Sequence, residues 1–180
     1  MTAALQARGW ASPETTVANG GSAGGLLMGA IANRAPFLYA GIEADVPFVD
    51  ALNSILDPFL PLTVTEWDEW GDPLHDKNVY GYMRAYTPYE NVASARERSE
   101  LFGTPHFPQI FITTSMNDTR VLYVEPLKWL SRLQEAEVGA DAFARIETEA
   151  GHGGVSGRYK AWEQVSLENA WCLAAMGIRK

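Results

Sequence analysis

The sequence predicts an α/β domain whose mostly parallel sheet is flanked by helices. Three observations carry that expectation. Four β-prone runs, at 15–19, 38–44, 109–114 and 142–149, alternate with segments of helical period. The run Gln109-Ile110-Phe111-Ile112-Thr113-Thr114 is nearly continuous in apolar residues, as a strand covered on both faces of a parallel sheet should be. A glycine-rich turn, Gly20 to Gly25, joins the first run to an apolar helical stretch.

Taken in order, residues 2–9 read as a helix end closed by Gly9, and 10–13 as a turn. Strand 15–19 leads into the glycine turn, and the following helix runs to about Arg34, ended by Pro36. The second strand is expected over 38–44, after which 45–50 leaves the sheet. Residues 50–107 read as the least regular part, because Pro58, Pro61, Pro73, Pro88 and Pro105 divide them, with Pro108 just beyond. Within them 76–86 has helical character, and 94–101 is a charged helical turn. A connection of that length is usually functional or a lid. Tyr123, Leu127 and Leu130 recur at i, i+4, i+7 and predict a helix over 123–137. The last helix is expected over 159–176, with Leu167, Ala170, Trp171 and Ala174 on one face.

A chain of 180 residues fits a single domain spanning 1–180 and can bury a core. Its formal net charge of −8 argues against nucleic acid or an anionic membrane as partner and favours cationic ligands. Cys172 is the single cysteine, so no intrachain disulfide forms; a cytoplasmic setting and a buried structural thiol are expected. No stretch reads as a signal peptide, membrane span or repeat.

The chemistry centres on Gly20-Gly21-Ser22-Ala23-Gly24-Gly25. Strand, serine between small residues, then helix is the context of a nucleophile elbow. A serine there projects at a strained turn, and the helix start offers N–H groups to a developing oxyanion. G-x-S-x-G alone is a weak signal, equally read as a plain glycine-rich turn. Its partners decide. Asp118 follows the strand at 109–114, and His152, between Gly151 and Gly153, follows the strand at 142–149. Ligands of a parallel sheet bind beyond the strands' carboxyl ends. Asp118 taken singly reads as a turn residue, but Ser, Asp and His at three strand ends in this order form the α/β-hydrolase arrangement. His75 and His106 lie beside prolines and lack such a position.

Longer segments extend the pattern: Val46-Pro47-Phe48-Val49-Asp50, Glu66-Trp67-Asp68-Glu69-Trp70-Gly71, Tyr86-Thr87-Pro88-Tyr89, Asn117-Asp118-Thr119-Arg120-Val121 and Gly151-His152-Gly153-Gly154-Val155-Ser156-Gly157-Arg158. On these the chain resembles the C-terminal part of the catalytic domain of the prolyl oligopeptidase family of serine peptidases, most of all its oligopeptidase B branch. The resemblance runs from about residue 9 nearly to the end. It implies a partial α/β-hydrolase fold, lacking the N-terminal strands and β-propeller of the family. It implies Ser22 as nucleophile, His152 as base then acid, Asp118 as its orienter, and the Ala23 N–H as one oxyanion donor. It also implies a specificity pocket from Glu66 and Asp68 with Phe48 in its wall, Asp68 standing where the branch usually has Glu. Arg120 is expected either to hold one of these carboxylates or to be a surface arginine. The chemistry implied needs no metal or cofactor.

The resemblance implies cleavage of short peptides after Arg or Lys. The family's second oxyanion donor is a tyrosine hydroxyl, and no tyrosine here matches its motif. Weak activity is therefore expected of the isolated chain, with self-association or association with the missing N-terminal part. Two alternatives carry the same triad: an esterase-like acyl hydrolase, disfavoured by the acidic 66–69 segment, and an inactive remnant acting by association.

Overall fold

A computed structural model describes residues 1–136, 142–154 and 156–178. Among these, four strands form one all-parallel sheet in sequence order: β1 (Val17–Gly21), β2 (Gly41–Asp45), β3 (Gln109–Ser115) and β4 (Ala142–Glu147). Gly21 pairs with Asp45, Asp45 with Thr113, and Ser115 with Glu147, so the carboxyl ends lie together along one edge. The fold is α/β, as the alternation predicts.

The helices are α1 (Thr2–Ala7), α2 (Ala23–Arg34), α3 (Ala51–Leu56), α4 (Thr63–Trp70), α5 (Lys77–Arg84), α6 (Ala95–Phe102), α7 (Val124–Glu135) and α8 (Arg158–Ala175). Successive strand residues point to opposite faces. On one face Ile42, Ala44, Ile110 and Ile112 are fully buried, packed with Met28 and Ala32 of α2 and Trp129 and Leu133 of α7. This is the main core. On the other face Trp171 of α8 lies 5.5 Å from the Phe111 ring. A Cβ on Gly41 would come within 2.9 Å of that indole, so glycine is what lets α8 approach β2. No described helix is long and apolar enough to cross a membrane.

Several boundaries differ from expectation. The first strand begins at Val17, because residues 13–15 close a 3₁₀ turn and the Thr16 hydroxyl bonds back to the Ser12 carbonyl. The second begins at Gly41, since 36–38 form another 3₁₀ turn. The fourth stops at Glu147, whose side chain accepts the N–H groups of Thr148 and Glu149. The expected tail of α7 at Glu137 lies outside the described residues.

The stretch 50–107 folds into four short helices, α3 to α6, with the prolines outside them; α5 and α6 fall on the segments expected to be helical, and α3 and α4 are additional. The segment beyond Asn91 is a helix with a capping box: the Ser94 side chain accepts from Glu97 N–H, and the Glu97 carboxylate accepts from Ser94 N–H. Its Arg98 is buried and donates to the carbonyls of Ala93, Pro105 and Ala136, which ties α6 to the end of α7.

Of the four residues on the apolar face of α8, Trp171 alone packs on the sheet. Leu167, Ala170 and Ala174 are exposed; Ala161, Gln164, Glu168, Trp171, Cys172 and Ala175 face the sheet. The period was legible but its phase was not, because apolar residues surround this helix. Trp162, Val165, Leu167 and Leu173 remain about half exposed.

Candidate active site

Ser22 stands between β1 and α2 with φ 55° and ψ −121°. Among the described non-glycine residues only Ser22 and Val46 have positive φ, a conformation that L-residues keep only when their surroundings impose it. The imposing contacts are backbone hydrogen bonds. Ser22 N–H donates to the Asp45 carbonyl at 2.9 Å, and the Ser22 carbonyl accepts from Gly25, Leu26 and Phe48 at 2.9, 3.3 and 3.0 Å. Two glycines make room. A Cβ on Gly20 would meet the Gly24 carbonyl oxygen at 2.7 Å, and one on Gly25 would meet Pro47 at 2.5 Å.

The turn after β3 carries Asp118, whose side chain is fully buried. Its Oδ1 accepts the N–H groups of Arg120 at 2.8 Å and Val121 at 3.0 Å. Its Oδ2 lies 2.7 Å from His152 Nδ1, and His152 Nε2 lies 3.2 Å from Ser22 Oγ. Three side chains separated by 96 and 34 residues thus form one hydrogen-bonded line across the carboxyl ends of β1, β3 and β4. A serine so placed can pass its proton to the imidazole while the carboxylate fixes the ring's orientation. Ala23 opens α2 directly after Ser22, where first-turn N–H groups have no intrahelical acceptor.

A cleft of about 120 Å³ opens beside Ser22 and Ala23. Phe48 is buried in its wall against Trp70, with ring centroids 5.5 Å apart. Glu66, Glu69 and Arg120 supply its charged groups. Glu66 Oε2 accepts from Trp70 Nε1 at 3.0 Å, which orients the carboxylate along α4. A smaller cavity of about 20 Å³ continues past Glu66 and Leu62 towards Glu125.

Asp68 does not line this cleft, whereas Glu69, exposed like Asp68, does. Residues 66, 69 and 70 share one face of α4 at i, i+3, i+4, whereas position 68 is turned about 200° from 66. Arg120 does line the cleft, but it makes no ion pair within 4.0 Å among the described residues. The other histidines are elsewhere: His75 Nδ1 lies 2.8 Å from Asp72, and His106 Nε2 lies 3.1 Å from the Tyr39 carbonyl oxygen. Val155 lies outside the described residues.

Glu125 belongs to a segment, Glu125-Pro126-Leu127-Lys128-Trp129, that shares the family resemblance, but the sequence assigns it no role. It is buried, accepts from Ser54 Oγ at 2.6 Å and Asp50 N–H at 3.1 Å, and burial pushes its carboxyl up to about 7. Beside it Asp50 pairs with Lys128. A lone Glu in the first turn of a helix gives no sequence sign of burial.

Comparison with known proteins identifies relatives of the whole chain. The profile of the prolyl oligopeptidase family matches residues 1–179. Protease 2 of Moraxella lacunata is 41% identical over 170 residues, covering 94% of this chain and 23% of that protein. Dipeptidyl aminopeptidase BI of Pseudoxanthomonas mexicana is 39% identical over 179 residues, covering 99% and 23%. The structure of oligopeptidase B from Trypanosoma brucei with covalently bound antipain, in a closed form, superposes with a TM-score of 0.89 at 34% identity, covering 99% of this chain and 24% of that one. The chain therefore spans about a quarter of the length of the relatives it matches.

Proposed function

The chain belongs to the prolyl oligopeptidase family, and from that premise we propose that it carries the catalytic residues of a serine endopeptidase that cleaves short peptides after Arg or Lys. The observation supporting this reading most directly is the line Ser22–His152–Asp118 with its 3.2 and 2.7 Å contacts. In it, Ser22 Oγ attacks the scissile carbonyl carbon as His152 Nε2 accepts the hydroxyl proton. Asp118, already held by two backbone N–H groups, keeps the imidazole oriented and balances its positive charge. The Ala23 N–H donates to the oxyanion. Collapse of the tetrahedral intermediate expels the amine, which takes its proton from His152. Water, deprotonated by His152, then hydrolyses the acyl-enzyme and releases Ser22.

Specificity for a basic residue rests on Glu66 and Glu69 in the cleft beside Ser22. A guanidinium there pairs with carboxylates in bidentate geometry, which favours Arg over Lys. Such an acidic cleft suits an acyl chain of a fatty ester poorly. The resemblance implies a second oxyanion donor from polypeptide this sequence does not match, so full rates are expected only when that part is supplied. A second reading, action through association, is favoured by the exposed apolar residues of α8 and by β1, which pairs on one side alone among the described strands.

Fluorophosphonate labelling of the chain tests the proposal, with antipain as competitor. Labelling lost in Ser22→Ala and suppressed by antipain is the expected result. Labelling of Ser22→Ala equal to the parent overturns the assignment.

A further inference from the structure

Beneath α8, on the sheet face away from the main core, lies a cluster that the proposed catalysis does not use. Glu43 and Asp45 are two residues apart on β2, so both point to one face, and Glu168 of α8 meets them there. One carboxylate oxygen from each lies within 4.8 Å of the other two. Acidic clusters alone are common. Here, however, Glu43 is 4% exposed, and its Oε1 is buried with no hydrogen-bond partner. Its Oε2 lies 3.5 Å from the Cys172 thiol, and the Asn19 side chain also acts on this carboxylate.

The nearest cation on this face is Arg145 of β4, paired in register with Thr113, which is itself paired with Asp45. Among the described residues, no Lys or Arg forms an ion pair with any of the three carboxylates. The hydrogen-bond donors to the cluster are neutral: Thr113 Oγ1 donates to Asp45 at 2.6 Å, Asn19 Nδ2 to Asp45 at 3.3 Å, and Gln164 Nε2 to Glu168 at 2.8 Å. Burial, and then the nearby charges of Asp45 and Glu168, raise the Glu43 carboxyl above its ordinary range. A cleft of about 280 Å³, lined by Asp45 and Glu168, opens alongside and leaves room for water ligands.

We propose that Glu43, Asp45 and Glu168 form a binding site for a hard divalent cation, with Ca²⁺ the best fit by size. Carboxylate sets select Ca²⁺, Mg²⁺ or Mn²⁺ over softer ions. Two oxygens bound to one ion can be no farther apart than twice the metal–oxygen distance. That limit is roughly 4.6–5.2 Å for Ca²⁺ and roughly 4.0–4.2 Å for Mg²⁺. For three equally spaced oxygens the limit is √3 times the metal–oxygen distance, roughly 4.0–4.5 Å for Ca²⁺ and roughly 3.5–3.6 Å for Mg²⁺, so carboxylates within 4.8 Å of one another come nearer to holding Ca²⁺ and close on it by small side-chain rotations. The ion would join α8, which follows the His152 loop, to the strand whose Asp45 carbonyl accepts the Ser22 N–H. It would thus brace the nucleophile turn against the histidine turn. The site stands whether or not the peptidase reading does.

The test uses the full chain freed of metal by chelation. Terbium luminescence excited through tryptophan, competed with Ca²⁺, reports binding, and thermal melting reports its consequence. The expected result is saturable binding with a dissociation constant of about 1 mM or below and a Tm that rises with Ca²⁺. Glu43→Gln and Glu168→Gln should each weaken binding by at least about tenfold. Glu163→Gln, exposed elsewhere on α8, should leave it unchanged. Should Glu43→Gln fail to fold by far-UV circular dichroism, Glu168→Gln, at the less buried corner, carries the comparison. Absence of saturable binding, or equal affinity in parent and Glu168→Gln, overturns the site and makes any ion adventitious only.

Discussion

The backbone N–H of Phe48 donates to the carbonyl oxygen of Ser22 at 3.0 Å, joining the cleft wall directly to the nucleophile turn. Gly25 lies beneath this junction, where its missing side chain admits Pro47. The strained φ of Ser22 is therefore held by the 45–48 loop as well as by the glycines around the serine.

Gly25→Ala should push that loop away. A Cβ at 2.5 Å from Pro47 Cα and Cβ meets backbone, which cannot yield cheaply. The expected cost is about 1–3 kcal/mol of stability, with a fall in kcat. Gly24→Ala has open space and a helical position, so it should be neutral or stabilising by up to about 1 kcal/mol. Urea midpoints of the two variants measure the difference, and equal midpoints would contradict it.

Ser22→Ala and His152→Ala should each lower kcat by on the order of 10⁴–10⁶-fold in any active form of the protein. The double variant should be scarcely worse than either single one, because the two residues act as a unit. Turnover of an Arg amide substrate measures this, and activity within about tenfold of the parent would remove the triad assignment.

Glu66→Gln and Glu69→Gln should each reduce the ratio of kcat/KM for matched Arg and Phe substrates by at least about tenfold. Asp68→Asn should leave the ratio unchanged, since Asp68 is exposed outside the cleft. The result that sinks the helical-phase argument is a loss in Asp68→Asn equal to that in Glu69→Gln.

Glu125 makes stability depend on pH. Its folded-state carboxyl is raised to about 7 from an ordinary 4.5, mainly by burial. A raised acid favours folding while protonated. Its contribution is present below about pH 4.5 and lost as pH rises to about 7, on the order of 3 kcal/mol in all. Glu125→Gln should flatten the fall of Tm between about pH 5 and 8. Parallel Tm profiles of parent and variant would show that this residue does not drive the effect.

Much of this was legible in the sequence because it is written in short-range pattern. The apolar run 109–114 marks β3 since a strand covered on both faces must be apolar throughout. Gly20 and Gly25 mark the turn because a Cβ on Gly20 would meet the Gly24 carbonyl and one on Gly25 would meet Pro47. Ser22, Asp118 and His152 could be paired from order alone, because a parallel sheet brings its carboxyl ends to one edge. The prolines of 50–107 mark the breaks between its short helices, but α3 and α4 were not legible because a proline that separates helices and one that prevents them look alike in sequence.

What the sequence by itself determined, then, is the sheet, the serine turn and the order of the three residues brought to its edge. The tertiary structure alone decided which acidic residues share the cleft, placing Glu69 inside and Asp68 outside through a rotation of about 100° per helical residue. It also decided that Glu125 is buried, that α8 turns Glu168 rather than Leu167 to the sheet, and that Glu168 there meets Glu43 and Asp45. The reason is physical. Period and turn chemistry are local properties of the chain. The phase of a helix against its neighbour, and the meeting of charges 123 to 125 residues apart, are set by packing after the chain has folded.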